Sequence, residues 1–75
     1  MADPYVREVG RMTDLDGMTV ILGLDYDSVT IHAGMFTPGG GIRLESLQAD
    51  EFAQLYSRAC WEAGAQAARL EADRA

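Results

Sequence analysis

The stretch MTVILGLDYDSVTIHAG, residues 18–34, decides the fold. Its first half, Met18 to Asp25, is dense in β-branched and aliphatic side chains and reads as a strand, after which Asp27 and Ser28 favour a turn. Val29, Ile31 and Ala33 then alternate with Ser28, Thr30 and His32, a period of two that gives a half-buried strand with one wet face. Two such strands joined by a short turn make an antiparallel hairpin.

Downstream, TPGGG at 37–41 joins a proline to three glycines and reads as a loop, and Ile42 and Leu44 then alternate with Arg43 and Glu45 in a further short strand. Ser46 is the expected helix N-cap, with the helix starting at about Leu47 and Asp50 and Glu51 suited to its positive end. Phe52, Leu55, Tyr56, Ala59, Cys60, Ala63, Ala67 and Leu70 recur at steps of three and four and form one apolar stripe for the sheet. Upstream, DPYVREVGRM opens either as a short helix capped by Asp3 with Pro4 in its first turn, or as an edge strand joined through the Asp16-Gly17 turn. Alternation between Tyr5 and Met12 is poor, and the strand is the reading adopted. The expected architecture is α+β: a three- or four-stranded antiparallel meander covered by one long C-terminal helix. It forms a single domain over 1–75, with an edge strand or arm at 1–17, the meander at 18–45 and the helix at 46–73.

Trp61, the chain's single tryptophan, follows Phe52 by nine residues. At about 100° per residue it lies almost opposite the apolar stripe. Gln54, Ser57, Trp61, Gly64 and Ala68 step 3, 4, 3, 4 along this back face, with Ala65 beside them. Small residues around one large ring let a second helix approach closely while the ring fills a hole in the partner. A two-fold homodimer through these six residues is the simplest closed arrangement. In the competing reading the helix breaks at Gly64, or the N-terminal segment folds over Trp61.

Twelve acidic residues against six basic ones give a formal charge of -6, which argues against direct binding to nucleic acid or to anionic membranes. The longest apolar stretch, MTVILGL, is far shorter than the roughly 20 residues of a membrane span. One cysteine, Cys60, and an N-terminus without the basic start and apolar run of a signal peptide lead to the expectation of a cytoplasmic protein. All basic residues are arginine, with no lysine or asparagine, a bias expected of a GC-rich genome.

No catalytic, cofactor-binding or metal-binding residue is assigned. His32 falls on the polar strand face, where a lone histidine is usually neither base nor ligand. Cys60 sits on the apolar stripe and is expected to be packed and unreactive. The pairs Asp14/Asp16 and Asp25/Asp27 have the carboxylates for a divalent cation, but both lie in expected turns, where aspartate is a preferred residue. The glycines of GGGIR precede a strand rather than a helix N-terminus, so a hairpin loop is favoured over a phosphate cradle.

GGGIRLESLQADEFAQLYSRA, residues 39–59, resembles the ending of many short accessory proteins of actinobacteria and their phages: a glycine turn, a short strand, a Ser or Thr cap, then an alanine-rich helix. The resemblance implies a phage or bacterial accessory protein and carries over no catalytic residue. The expected function is a small non-enzymatic protein–protein interaction module that self-associates through the Trp61 face and modulates a host or phage protein. One alternative is a structural subunit of a phage particle, a decoration or connector piece located in the virion. Another is an acidic nucleic-acid mimic that inhibits a basic enzyme.

Overall fold

A computed structural model describes residues 3–33 and 42–74. Three strands, β1 (Val6–Thr13), β2 (Thr19–Asp25) and β3 (Ser28–Ala33), form an antiparallel meander in the order β1-β2-β3, and one helix, α1 (Ser46–Arg74), follows. The architecture is the expected β-β-β-α. The N-terminal segment supplies the first strand, while Ile42 to Glu45 form none. Their alternation finds no sheet edge. The segment is instead held at the β1–β2 turn, where the Leu15 amide donates to the Arg43 carbonyl at 2.7 Å.

The poor alternation in β1 has a local cause. Arg7 pairs with Leu24 and Glu8 with Gly23, but Gly10 pairs with Leu22, so Val9 is an extra residue in a β-bulge. The bulge reverses parity: Arg7 shares a face with Leu24, and Gly10 and Met12 share it with Leu22 and Val20. That face meets α1. Val20, Leu22 and Leu24 are fully buried there, with Met12, Ala59 and Ala63 beside them and Leu44, Phe52 and Leu55 packed at the margin. A Cβ on Gly10 would stand 2.6 Å from Leu55 Cδ2, so glycine at this position lets the helix approach the strand.

Side-chain polar groups fix the turns. Asp14 is buried at the β1–β2 turn and its Oδ1 accepts from the amides of Asp16 and Met18 at 2.9 and 2.8 Å. Gly17, at φ +81°, supplies the left-handed residue that the turn requires. In the two-residue β2–β3 turn the left-handed position is held by Tyr26 at φ +59°, a conformation that L side chains rarely adopt. Its surroundings over-determine it: the ring stacks on Tyr5 at 5.7 Å, the amide donates to the Tyr5 carbonyl at 2.9 Å, and the hydroxyl donates to Asp3. Asp3 also accepts the Tyr5 amide at 2.9 Å, making a turn ahead of the strand rather than capping a helix.

The cap of α1 lies one residue before the expected Ser46. The Glu45 carbonyl accepts the first intrahelical bond, from Ala49 at 2.8 Å, and Gln48 Oε1 accepts from the Glu45 amide at 3.1 Å, half of a capping box. Gln48 Nε2 also donates to the Thr13 carbonyl at 3.1 Å, tying the helix start to the end of β1. Asp50 and Glu51 fall beyond the first turn. From there α1 runs unbroken through Gly64 to Arg74 over 29 residues, about 43 Å at 1.5 Å per residue. No helix among the described residues is long and apolar enough to cross a membrane.

Candidate functional site

The buried face of α1 is turned from the expected stripe. Tyr56 is 44 % exposed and Cys60 is exposed, correcting the expectation that Cys60 is packed. Glu62 and Gln66 take their place against the sheet. Gln66 is buried, and its Nε2 donates to the carbonyls of Tyr5, at 3.2 Å, and Tyr26. Without that donor both carbonyl oxygens would lose a partner on burial. Glu62 leans toward β1, where it pairs with Arg7, and along the helix with Arg58 at 2.9 Å. The helix therefore rolls toward β1, and Tyr56 and Cys60 move to its opposite flank.

This roll builds a groove between α1 and β1. Arg7, Arg58, Trp61, Glu62, Ala65, Gln66 and Arg69 line a hollow of about 410 Å³, open to solvent on one side. A second hollow of about 240 Å³ continues it toward the helix start, bounded by Arg11, Glu51, Gln54, Leu55 and Arg58. Arg58 is common to both. In a chain of net charge -6, the larger hollow gathers three arginines around one carboxylate. Hydrogen bonding to Arg7 holds the Glu62 carboxyl below its ordinary value against the opposing effect of burial, with Arg58 adding to it. Glu62 is thus held ionised and cannot serve as a general acid near neutral pH. Arg69 makes no ion pair among the described residues.

Trp61 is 76 % exposed on the rim of this groove. Gln54, Ser57, Gly64 and Ala68 are exposed along the same helix face, and Ala65 is half-buried in the groove floor. Of the six residues expected to form a seam, five are thus exposed along one helix face, with Ala65 half-buried beside them. Val6 to Thr13 pair into the sheet and do not fold over Trp61. Nothing in the sequence singles out the arginines. Arg58 and Arg69 flank Glu62 and Trp61 at helical spacing, but Arg7 joins them only because the bulge reverses its strand face.

The other chemical candidates lie apart. His32 is exposed opposite Ile21, on the face of the sheet away from α1. Asp14 is consumed in its turn, and Asp25 and Asp27 flank Tyr26 on the surface. No group of three His, Cys, Asp or Glu residues suited to a metal occurs among the described residues. The glycine loop expected at 37–41 lies outside the described residues. At the far end of α1 the Tyr5 hydroxyl donates to Asp73 at 3.0 Å, and this bond raises the phenol above its ordinary value. The bond to Asp3 does the same for Tyr26, and lowers Asp3 in turn. The first bond joins the residue before β1 to the end of α1, and the second joins the β2–β3 turn to the segment before β1. Comparison with models of protein families, with curated proteins and with solved structures finds no match.

Proposed function

We propose that this chain is a small non-enzymatic protein–protein interaction module that self-associates through the Trp61 face of α1 and modulates a protein of its bacterial or phage context. The observation that carries the reading is the 76 % exposure of Trp61 among small, uncovered residues. An exposed tryptophan leaves a large apolar surface in water, and such a ring is a common energetic centre of interfaces. The binding role is favoured over catalysis because the groove beside it offers fixed charges and an aromatic wall, with its one carboxylate held ionised between two arginines.

Sedimentation velocity across a wide concentration range tests the reading. The wild type is expected to move from monomer to dimer as concentration rises, and Trp61→Ala to stay monomeric with an unchanged circular dichroism spectrum. A wild type that remains monomeric at every concentration overturns the self-association.

A further inference from the structure

Resting on the reading of the chain as an interaction module, but not on its Trp61 face, we infer that the outer edge of β3 takes up an extended basic segment of the partner protein as a fourth antiparallel strand. The order β1-β2-β3 leaves β3 at an edge, and among the described residues no strand pairs with its outer side. The register identifies the groups that stand open. The Tyr26 amide turns toward β1, where it meets the Tyr5 carbonyl, so by alternation Leu24 and Leu22 bond toward β1, and Asp25, Gly23 and Ile21 toward β3. The partners of those three are Ser28, Thr30 and His32. The amides and carbonyls of Val29, Ile31 and Ala33 therefore point outward, where an added strand can bond to them.

The two edges of the sheet differ. β1 carries Arg7, Glu8 and Arg11 and the bulge at Val9, features that keep an edge from pairing further. β3, from Ser28 to Ala33, has no Asp, Glu, Arg, Lys or Pro, and its register with β2 is unbroken. Its side chains also suit a neighbour. Val29, Ile31 and Ala33 share the face that Val20, Leu22 and Leu24 present to α1, yet Ile31 stays exposed because the helix has rolled toward β1. Tyr56 and Cys60, exposed on the flank of α1 turned away from β1, continue this apolar margin. A strand beside β3 with apolar side chains at alternate positions covers Ile31 on that face and keeps its other side chains in water.

Charge decides what the segment carries. Residues 18–34 hold Asp25 and Asp27 and no arginine, in a chain of net charge -6. Both aspartates are exposed at the start of β3. Antiparallel pairing continues the meander and gives the more stable ladder per residue. A strand laid that way ends beside the two aspartates, so lysine or arginine at its C-terminal end is attracted and an acidic end is repelled. The partner segment is accordingly extended, with β-branched residues at alternate positions and cations at its C-terminal end.

The probe is a synthetic peptide of alternating valine and threonine that ends in two lysines, with both termini capped. Fluorescence anisotropy follows its binding to the full chain, and amide hydrogen exchange locates it. Binding is expected to slow exchange at Val29, Ile31 and Ala33. N-methylation of one alternate set of peptide residues is expected to abolish binding, and of the other set to leave it, because a strand turns alternate donors to opposite edges. Trp61→Ala is expected to bind the peptide as the wild type does. No binding, equal binding of the two methylated peptides, or protection that falls on α1 instead of β3 overturns strand addition and leaves self-association standing. Outward amides of β3 that are already protected in the free chain also overturn it, since the edge is then covered by the chain itself or by a second copy. Peptide binding to a chain that sediments as a monomer at every concentration keeps strand addition and removes only the self-association.

Discussion

A Cβ on Gly23 would stand 2.8 Å from the Arg7 carbonyl oxygen and 3.1 Å from Thr30 Oγ1, on neighbours held by pairing on both sides of β2. A backbone oxygen cannot swing aside. Gly23→Ala is therefore expected to cost about 1–3 kcal/mol in denaturant unfolding, the range for overpacking a tight site. At Gly10 the obstacle is the tip of the Leu55 side chain, which can rotate, so Gly10→Ala should cost clearly less. Equal losses at the two sites would show that Leu55 is as immobile as the strand backbone. Glu62 gives a prediction in pH. Its folded pKa is lowered by Arg7, so its contribution is present above the unfolded value of about 4.3 and is lost as pH falls through the folded value. Both arginine partners are more than a third exposed, which limits the effect. Glu62→Gln should destabilise by about 1 kcal/mol at pH 7, and the deficit against wild type should close in unfolding experiments as pH falls through the lowered folded value and the wild-type carboxyl takes up its proton. A deficit constant with pH would assign the loss to packing instead.

At the scale of elements, two glutamines add polar ties to the apolar contacts that hold α1 to the sheet. Gln48 secures its start to β1, and Gln66 reaches the carbonyls of Tyr5 and Tyr26 where the sheet turns. Gln66→Ala leaves both oxygens without this donor and is expected to cost about 1–3 kcal/mol. Amide hydrogen exchange should show the protection lost first at Tyr26, whose strained turn depends on the same cluster; uniform loss across the sheet would argue against a local tether. These glutamines explain where sequence reading falls short. Periodicity locates the helix, places Ala59 and Ala63 inside and puts Trp61 on the back face, because a step of 100° needs no knowledge of partners. It assigns the buried edge to Tyr56 and Cys60 because they are apolar, whereas hydrogen-bond satisfaction brings in Gln66 and ion pairing brings in Glu62. Likewise, β3 is legible as a strand, although Ile31 stays 46 % exposed, and one bulged residue scrambles the alternation of β1 and hides Arg7 from the site. Ile42 to Glu45 carry a strand's alternation without a strand's partner, since pairing is a property of the sheet and not of the segment.

For the whole molecule, shape and core size point the same way. Its radius of gyration is 14.2 Å, against about 11 Å for a compact domain of this length, because α1 spans the long dimension while three short strands cover only part of it. Among the described residues, the buried apolar set contains only three large fully enclosed side chains, Val20, Leu22 and Leu24. So small a core gains from any association that favours the folded state. Gly64 separates the stability of the single chain from that of the pair. It is exposed within the helix, and a methyl group added to its Cα would meet nothing within 4 Å, so Gly64→Ala should stabilise the isolated chain by about 1 kcal/mol through helix propensity alone. That gain corresponds to a rise of roughly 4–8 °C in melting temperature for a domain of this size. On the proposed interface, however, the same methyl stands where two backbones approach most closely. Melting curves at nanomolar concentration should show the full gain, and curves well above the dissociation constant should show it reduced or reversed, because the variant forfeits part of the stabilisation that dimerisation adds. A gain that stays the same at every concentration would mean that this helix face remains in water, and that Trp61 serves a contact which Gly64 does not share.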